Sequence, residues 1–172
     1  EMGHIWTLQH EFEVMLDVEI AACEAMAELG EIPKEAAKNI RAKAKFDLPR
    51  VKEIEKVTNH DIIAFLTNVA EYVGDDSKYI HKGLTSSDVK DTALGIMMKK
   101  SADIIIEDIK KLREVLLRRA DEHRHTPCIG RTHGIHAEPM TLGLKFALWY
   151  SELGRDLKRI ENARENIAVG KL

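Results

Sequence analysis

Cysteine, proline and glycine are all scarce in this sequence, with 2, 4 and 10 of its 172 residues. The two cysteines, Cys23 and Cys128, form no CxxC pair, and a disulfide framework normally uses more of them. We therefore expect a protein of a reducing compartment, the cytoplasm. Because glycine and proline interrupt helices, their scarcity favours a helical chain.

A surplus of basic residues and a long apolar run are also missing. Lys and Arg number 26 against 29 Asp and Glu, which gives a formal net charge of -3. A nucleic-acid binder would need a basic surplus to neutralise phosphates, so we expect no nucleic-acid partner. No apolar run approaches the roughly 20 residues that cross a bilayer, and no signal-peptide pattern opens the chain, so we expect no membrane association. Glu1 is not an initiator methionine, which predicts that the chain begins inside a longer gene product.

The spacing of the apolar residues predicts helices along almost the whole chain. A stripe over residues 5–27 predicts a first helix, which Gly30 ends. Pro33 precedes a predicted helix over 34–45, and an Asp-Leu-Pro triplet opens another over 47–57. No segment alternates convincingly between apolar and polar residues, as a strand would. The predicted class is therefore all-α.

Two longer helices are predicted over residues 87–123 and 138–172. Their apolar residues recur in steps of three and four, which is typical of helices that pack against other long helices. Pro139 stands where a first-turn proline belongs. Two such helices cannot bury their apolar faces against each other alone, so other sequence or other subunits must complete a bundle. We expect a small helical domain over 1–87 and the first part of a long-helix bundle over 88–172.

Two polar segments precede predicted helices. Thr58-Asn-His-Asp61 and Thr85-Ser-Ser-Asp88 each have Thr at a possible N-cap and an acidic residue three positions later, which is close to a capping box. Helix N-termini also present free N–H groups that favour anions. These side chains either only cap their helices or also face a bound ligand, and both interpretations stay open. His81 is likewise either a partly buried histidine or part of such a site.

The connection over residues 123–139 is long for a helical protein, and connections of this length are often functional. It contains four histidines: His123, His125, His133 and His136. No acidic or cysteine residue stands at zinc-binding spacing, so we predict no metal. His123 and His125 fit cations at a helix C-terminus. Gly130 and Gly134 let the backbone turn sharply beside His133, for which proton transfer and a structural role both remain open.

Three stretches together resemble the fumarase/aspartase superfamily. Residues 83–88 and 130–139 are similar to its first two conserved regions, while 58–61 and the His-Ala-Glu-Pro ending of the second region resemble the adenylosuccinate lyase family. The resemblance implies β-elimination of fumarate from adenylosuccinate, which yields AMP, and from succinyl-aminoimidazole-carboxamide ribotide. It implies no cofactor, and a homotetramer whose active sites are shared between subunits.

The resemblance also implies residue roles. His133 would protonate the leaving nitrogen, and His60 would assist it or hold the substrate. The implied substrate-binding residues are Asn59, Asp61, His81, Lys82, Thr85, Ser86 and Thr132. In the family a serine base and an Arg-Tyr segment lie outside the stretch that corresponds to these 172 residues, which predicts little or no activity for the chain alone. The alternatives are a sister lyase acting on argininosuccinate, aspartate or malate, and a non-catalytic helical assembly module.

Overall fold

The protein, described over residues 1–172 by a computed structural model, consists of helices and one β-hairpin. The helices are α1 (Met2–Ile5), α2 (Leu8–Glu28), α3 (Lys34–Lys43), α4 (Leu48–Thr58), α5 (Asp61–Val73), α6 (Ser86–Glu122) and α7 (Leu142–Ile167). A 3-10 segment covers Gly74–Tyr79, and the hairpin strands are β1 (Pro127–Thr132) and β2 (Ile135–Thr141). None of the helices combines the length and apolarity that a membrane crossing requires. The all-α prediction is confirmed.

Polar side chains cap the starts of α2 and α4. The predicted first helix is divided in two, because the side chain of Thr7 accepts the N–H of His10 at 3.2 Å and caps the start of α2. Asp47 caps α4 in the same way, accepting the N–H of Arg50 at 2.8 Å. Such caps satisfy N–H groups that have no partner inside the helix.

The chain forms two compact units, residues 1–98 with 168–172 and residues 99–167. The core of the first unit centres on three aromatic rings, those of Phe12, Phe46 and Phe65. Phe65 is fully buried, and its ring meets Phe12 edge-on at 5.2 Å and Phe46 at 5.7 Å between centroids. These rings join α2, α5 and the segment before α4. The predicted domain boundary near residue 87, at the start of α6, stays a prediction.

The second unit contains the rest of α6, the hairpin and α7. Its helices meet through side chains: the guanidinium of Arg113 lies 4.4 Å from the ring centre of Tyr150, and Arg164 pairs with Asp103. Few of its residues are buried. Its exposed large apolar side chains are Ile105, Leu112, Val115, Leu117, Ile135, Leu144, Leu148 and Trp149. The predicted need for further packing partners is consistent with this exposure.

The hairpin corrects two expectations about the connection. We expected no strands, and we expected the last helix to begin near residue 138. Instead β1 and β2 pair antiparallel, with Pro139 opposite Ile129, and α7 begins at Leu142. The reason is a two-residue turn at His133 and Gly134, whose φ angles of 51° and 76° match the positive values that a type I′ hairpin turn requires. An isolated two-stranded sheet has only edge strands, where proline is tolerated.

Candidate functional site

His133 lies at the tip of the hairpin, next to Thr132 at the end of β1. Its φ of 51° is in the left-handed region, which is costly for a residue with a Cβ and is often found at functional sites. Both side chains are exposed, and neither makes a hydrogen bond within the chain. Gly130 lies at a register shift in β1, where an added Cβ would be 3.0 Å from the carbonyl oxygen of Glu138. The hairpin therefore presents the imidazole of His133 with neither ring nitrogen bonded within the chain.

A tight junction between α4 and α5 holds Asn59, His60 and Asp61. We predicted Thr58 as a possible N-cap of the helix that follows it, α5, but Thr58 is the last residue of α4. Asn59 takes the left-handed conformation with a φ of 50°, and His60 is the N-cap of α5, its Nδ1 accepting the N–H of Ile63 at 3.4 Å. Nδ1 is thus occupied, while the side chain of His60 remains exposed.

Asp61 connects the start of α5 to the first turns of α6. Its Oδ1 accepts the N–H of Ile62 at 2.8 Å, and its Oδ2 forms an ion pair with Lys90. Burial acts to raise the pKa of Asp61, but the hydrogen bonds from Lys90 and Ile62 outweigh it and lower the pKa. Asp61 is therefore a carboxylate at neutral pH, and it neutralises Lys90.

His81 and Lys82 lie in the turn between the 3-10 segment and α6. The side chain of Glu19, on α2, is 1% exposed, and its two oxygens bond to the ring and the backbone N–H of His81. Lys82 donates to the carbonyl oxygen of Glu31 at 3.3 Å. The turn is therefore fastened to α2 and to the loop that follows it.

Thr85 and Asp88 form the predicted capping pair at the start of α6. One oxygen of Asp88 accepts the backbone N–H of Thr85 at 2.7 Å and its hydroxyl at 2.8 Å. The other oxygen accepts from Nζ of Lys171 at 2.6 Å. These bonds, of which the one from Lys171 has the largest effect, lower the pKa of Asp88 to about 2. The Thr85 hydroxyl proton is committed to Asp88, whereas Ser86 makes no side-chain hydrogen bond.

The first unit therefore contains seven of the predicted site residues and the second contains Thr132 and His133. Two residues that the motifs did not indicate belong to the same surroundings, Glu19 behind His81 and Lys90 beside Asp61. Glu19 had a signal in the sequence, because it is a charged residue at a core position of the apolar stripe of α2. Lys90 had none, since a lysine in the first turns of a long helix is ordinary.

Metal-binding geometry occurs at one place, outside the predicted site residues. Candidate ligand atoms of His4, His10 and Glu13 lie within 4.8 Å of one another. Nδ1 of His10 is 3.0 Å from Glu13, and the His4 and His10 rings are 4.9 Å apart. The histidines of the hairpin connection form no such group.

Comparison with known proteins gives consistent matches over the whole chain. The Lyase family matches residues 1–172. The adenylosuccinate lyases of Synechocystis sp. and Bacillus subtilis are 55% and 49% identical over 172 residues, all of this chain but 40% of each relative's length. The crystal structure of a fumarate lyase from Mesorhizobium sp. BNC1 superposes with a TM-score of 0.93 at 30% identity, over 99% of this chain and 41% of that one.

Proposed function

This chain belongs to the Lyase family over its full 172 residues, and we propose that it provides part of the active site of an adenylosuccinate lyase. The activity is the release of fumarate from adenylosuccinate, which leaves AMP, and from succinyl-aminoimidazole-carboxamide ribotide. The observation that carries the proposal is the exposed, unpaired imidazole of His133, held in a left-handed hairpin turn in a chain 55% identical to an adenylosuccinate lyase.

The reaction needs an acid and a base. A base removes a proton from the carbon next to a carboxylate, the electrons of that C–H bond form the C=C bond of fumarate, and the C–N bond breaks. We assign the acid to His133, which gives its proton to the departing nitrogen as that nitrogen takes the C–N electron pair. His60, with its outer nitrogen free of hydrogen bonds, assists His133 or holds the substrate. The base is a serine from sequence outside these residues.

The substrate carries two carboxylates and a phosphate, and the start of α6 suits such groups. The first-turn N–H groups of a helix favour anions, and Ser86 adds a hydroxyl with no partner in the chain. We propose that the Ser86 hydroxyl donates to a carboxylate of the succinyl group, together with the free N–H groups of the first turn of α6. Thr85 borders this position, but its own hydroxyl proton is given to Asp88. His81 and Lys82 adjoin this helix start.

Asn59 and Asp61 form the second part of the proposed binding site. Asp61 is ionised and paired with Lys90, so the two charges together are neutral. We place Asn59 and Asp61 beside the nucleotide. There the Asp61 carboxylate accepts N–H or O–H donors, and the ammonium of Lys90 attracts a phosphate. Thr132, one residue before His133, supports the acid on the hairpin.

Assembly into a homotetramer completes the proposal. Eight large apolar side chains of the second unit are exposed, and Leu112, Leu116, Trp149 and Leu153 border one surface cavity between α6 and α7. Exposed apolar surface of this extent is typical of subunit interfaces. We propose that other copies of the same chain cover it and share the active sites, and that the enzyme works in the cytoplasm, where its two free cysteines stay reduced.

The test measures fumarate release by the complete gene product from adenylosuccinate, with argininosuccinate in parallel. We expect turnover of adenylosuccinate only, and a loss of kcat on the order of 100- to 10,000-fold in His133→Ala, as for removal of a general acid. His125→Ala is the matched control, because His125 is exposed in the same connection and should leave turnover unchanged. The 172 residues alone should release little or no fumarate.

Three results would contradict the proposal in different ways. Turnover of argininosuccinate instead would indicate a sister lyase. Normal assembly without any effect of His133→Ala would indicate the helical assembly module. Robust turnover by the 172 residues alone would show that no further sequence is needed for the base.

A further inference from the structure

A carboxylate lies in the core of the first unit with His81 as its only partner. Glu19, near the middle of α2, is 1% exposed. Its Oε1 lies 2.5 Å from Nδ1 of His81, and its Oε2 accepts the backbone N–H of His81 at 2.9 Å. A buried charge without such bonds is strongly unfavourable, so these two bonds are what make the position tolerable.

The two bonds fix both the backbone and the ring of His81. Its φ of 63° lies in the left-handed region, which costs free energy for a residue other than glycine. Oε2 holds the N–H of that strained backbone, while Oε1 holds the ring. Burial raises the pKa of Glu19, while the hydrogen bonds from His81 act to lower it. When Glu19 is ionised, both of its oxygens only accept hydrogen bonds, so Nδ1 of His81 carries the proton in this pair. Nε2 is then the ring atom left without a partner in the chain, on a side chain that is 18% exposed.

We propose that Glu19 is a positioning residue, which fixes the orientation and tautomer of His81 so that Nε2 faces the bound substrate. The inference rests on the proposed function, because it takes His81 to touch the substrate. An apolar residue at position 19 would avoid the cost of burying a charge, and replacing a buried ion pair by apolar residues is often neutral or stabilising. Retaining a carboxylate here is explained by what it does to His81.

Glu19→Gln tests the proposal with little change in shape. The glutamine carbonyl can still accept one bond from His81, but its amide donates to Nδ1 and so moves the ring proton to Nε2. We expect kcat/KM for fumarate release by the complete gene product to fall about 10- to 100-fold, the range for loss of a hydrogen bond to a charged group. Thermal unfolding should be unchanged. Glu24→Gln is the matched control on the same helix, since Glu24 is exposed and bonds to Arg41.

A second variant separates positioning from a general structural role. His81→Asn keeps a side-chain donor for Glu19 and tolerates the left-handed conformation, but it lacks Nε2. We expect it to be stable and to lose activity, and Glu19→Gln should cause no further loss in the His81→Asn background. If Glu19→Gln does not fold, His81→Asn alone decides, because full activity without Nε2 would overturn the proposal.

The outcomes keep this inference apart from the proposed function. If the wild-type protein releases no fumarate from adenylosuccinate, the proposed function fails and this inference fails with it. If the wild type is active and a folded Glu19→Gln is as active as Glu24→Gln, only the positioning role is overturned. Equal losses from Glu19→Gln with and without His81 would also overturn it, since Glu19 would then act by another route.

Discussion

Replacing Gly143 by alanine would place a methyl group against the backbone at the end of α6. Gly143 is buried at the start of α7, and its N–H donates to the carbonyl oxygen of His123 at 2.9 Å. An added Cβ would lie 2.4 Å from the carbonyl oxygen of Ala120, 2.7 Å from Cα of Arg124 and 2.8 Å from its nitrogen. All three atoms belong to the backbone, so they cannot move aside as the end of a side chain would.

The size of the effect follows from two opposing contributions. Overpacking costs typically about 1–3 kcal/mol, and contact with rigid backbone puts Gly143→Ala at the upper end. Alanine is better than glycine in a helix by at most about 1 kcal/mol. The net destabilisation expected is therefore about 2 kcal/mol, or a fall of several degrees in Tm. Because Gly143 closes the base of the hairpin, fumarate release should fall as well.

Gly154→Ala is the control in the same helix. An added Cβ there would lie 3.2 Å from a terminal guanidinium nitrogen of Arg113, which is flexible, so the helix preference should dominate and the stability should hold or rise by up to about 1 kcal/mol. Thermal unfolding of the complete gene product, followed by circular dichroism, measures both variants against the wild type. If Gly143→Ala is as stable as Gly154→Ala, the close packing at the end of α6 is not as described.

Other contacts give predictions of different kinds. Asp88→Asn should lower the stability most at neutral pH. The folded-state pKa of Asp88 is about 2, below its ordinary value, because Lys171 donates to the carboxylate. The stabilisation from this bond is therefore present above about pH 4 and is lost as the pH falls towards 2. Urea unfolding of wild type and variant across that range tests this, and a constant difference would contradict it. Phe65→Ala should cost about 3–5 kcal/mol, while Val57→Ala, at a position 82% exposed, should cost almost nothing by the same measurement. Cys23 is fully buried, and this burial, together with nearby carboxylates, raises the pKa of its thiol to about 11. A thiol reagent should therefore react with Cys23 only when the protein unfolds, and rapid labelling of the native protein would refute this.

Much of the proposed site could be found from the sequence because its residues stand in short, contiguous motifs. The capping pair of Thr85 and Asp88 depends on side chains three positions apart, and the structure has the half in which Asp88 accepts the N–H of Thr85. The Thr85 hydroxyl donates to Asp88 and does not accept the N–H of Asp88, which bonds to the Thr85 carbonyl oxygen. The same reasoning misplaced the cap at residues 58–61, because a single left-handed residue, Asn59, lets α4 run directly into α5 and makes His60 the cap. The turn at His133 was also missed, since its positive φ depends on the pairing of two strands that show no alternating pattern.

The sequence by itself determined the helices, their approximate ends and the motifs, because apolar spacing and caps act between residues a few positions apart. The tertiary structure decided which charges meet. Glu19 and His81 are 62 residues apart, and Asp61 and Lys90 are 29 apart. Neither pairing follows from local preference, since it arises only when α2 and α6 pack beside the segments that carry the partners. A buried carboxylate and the histidine that satisfies it are chosen by the packed core, whose low dielectric makes every unpaired charge costly.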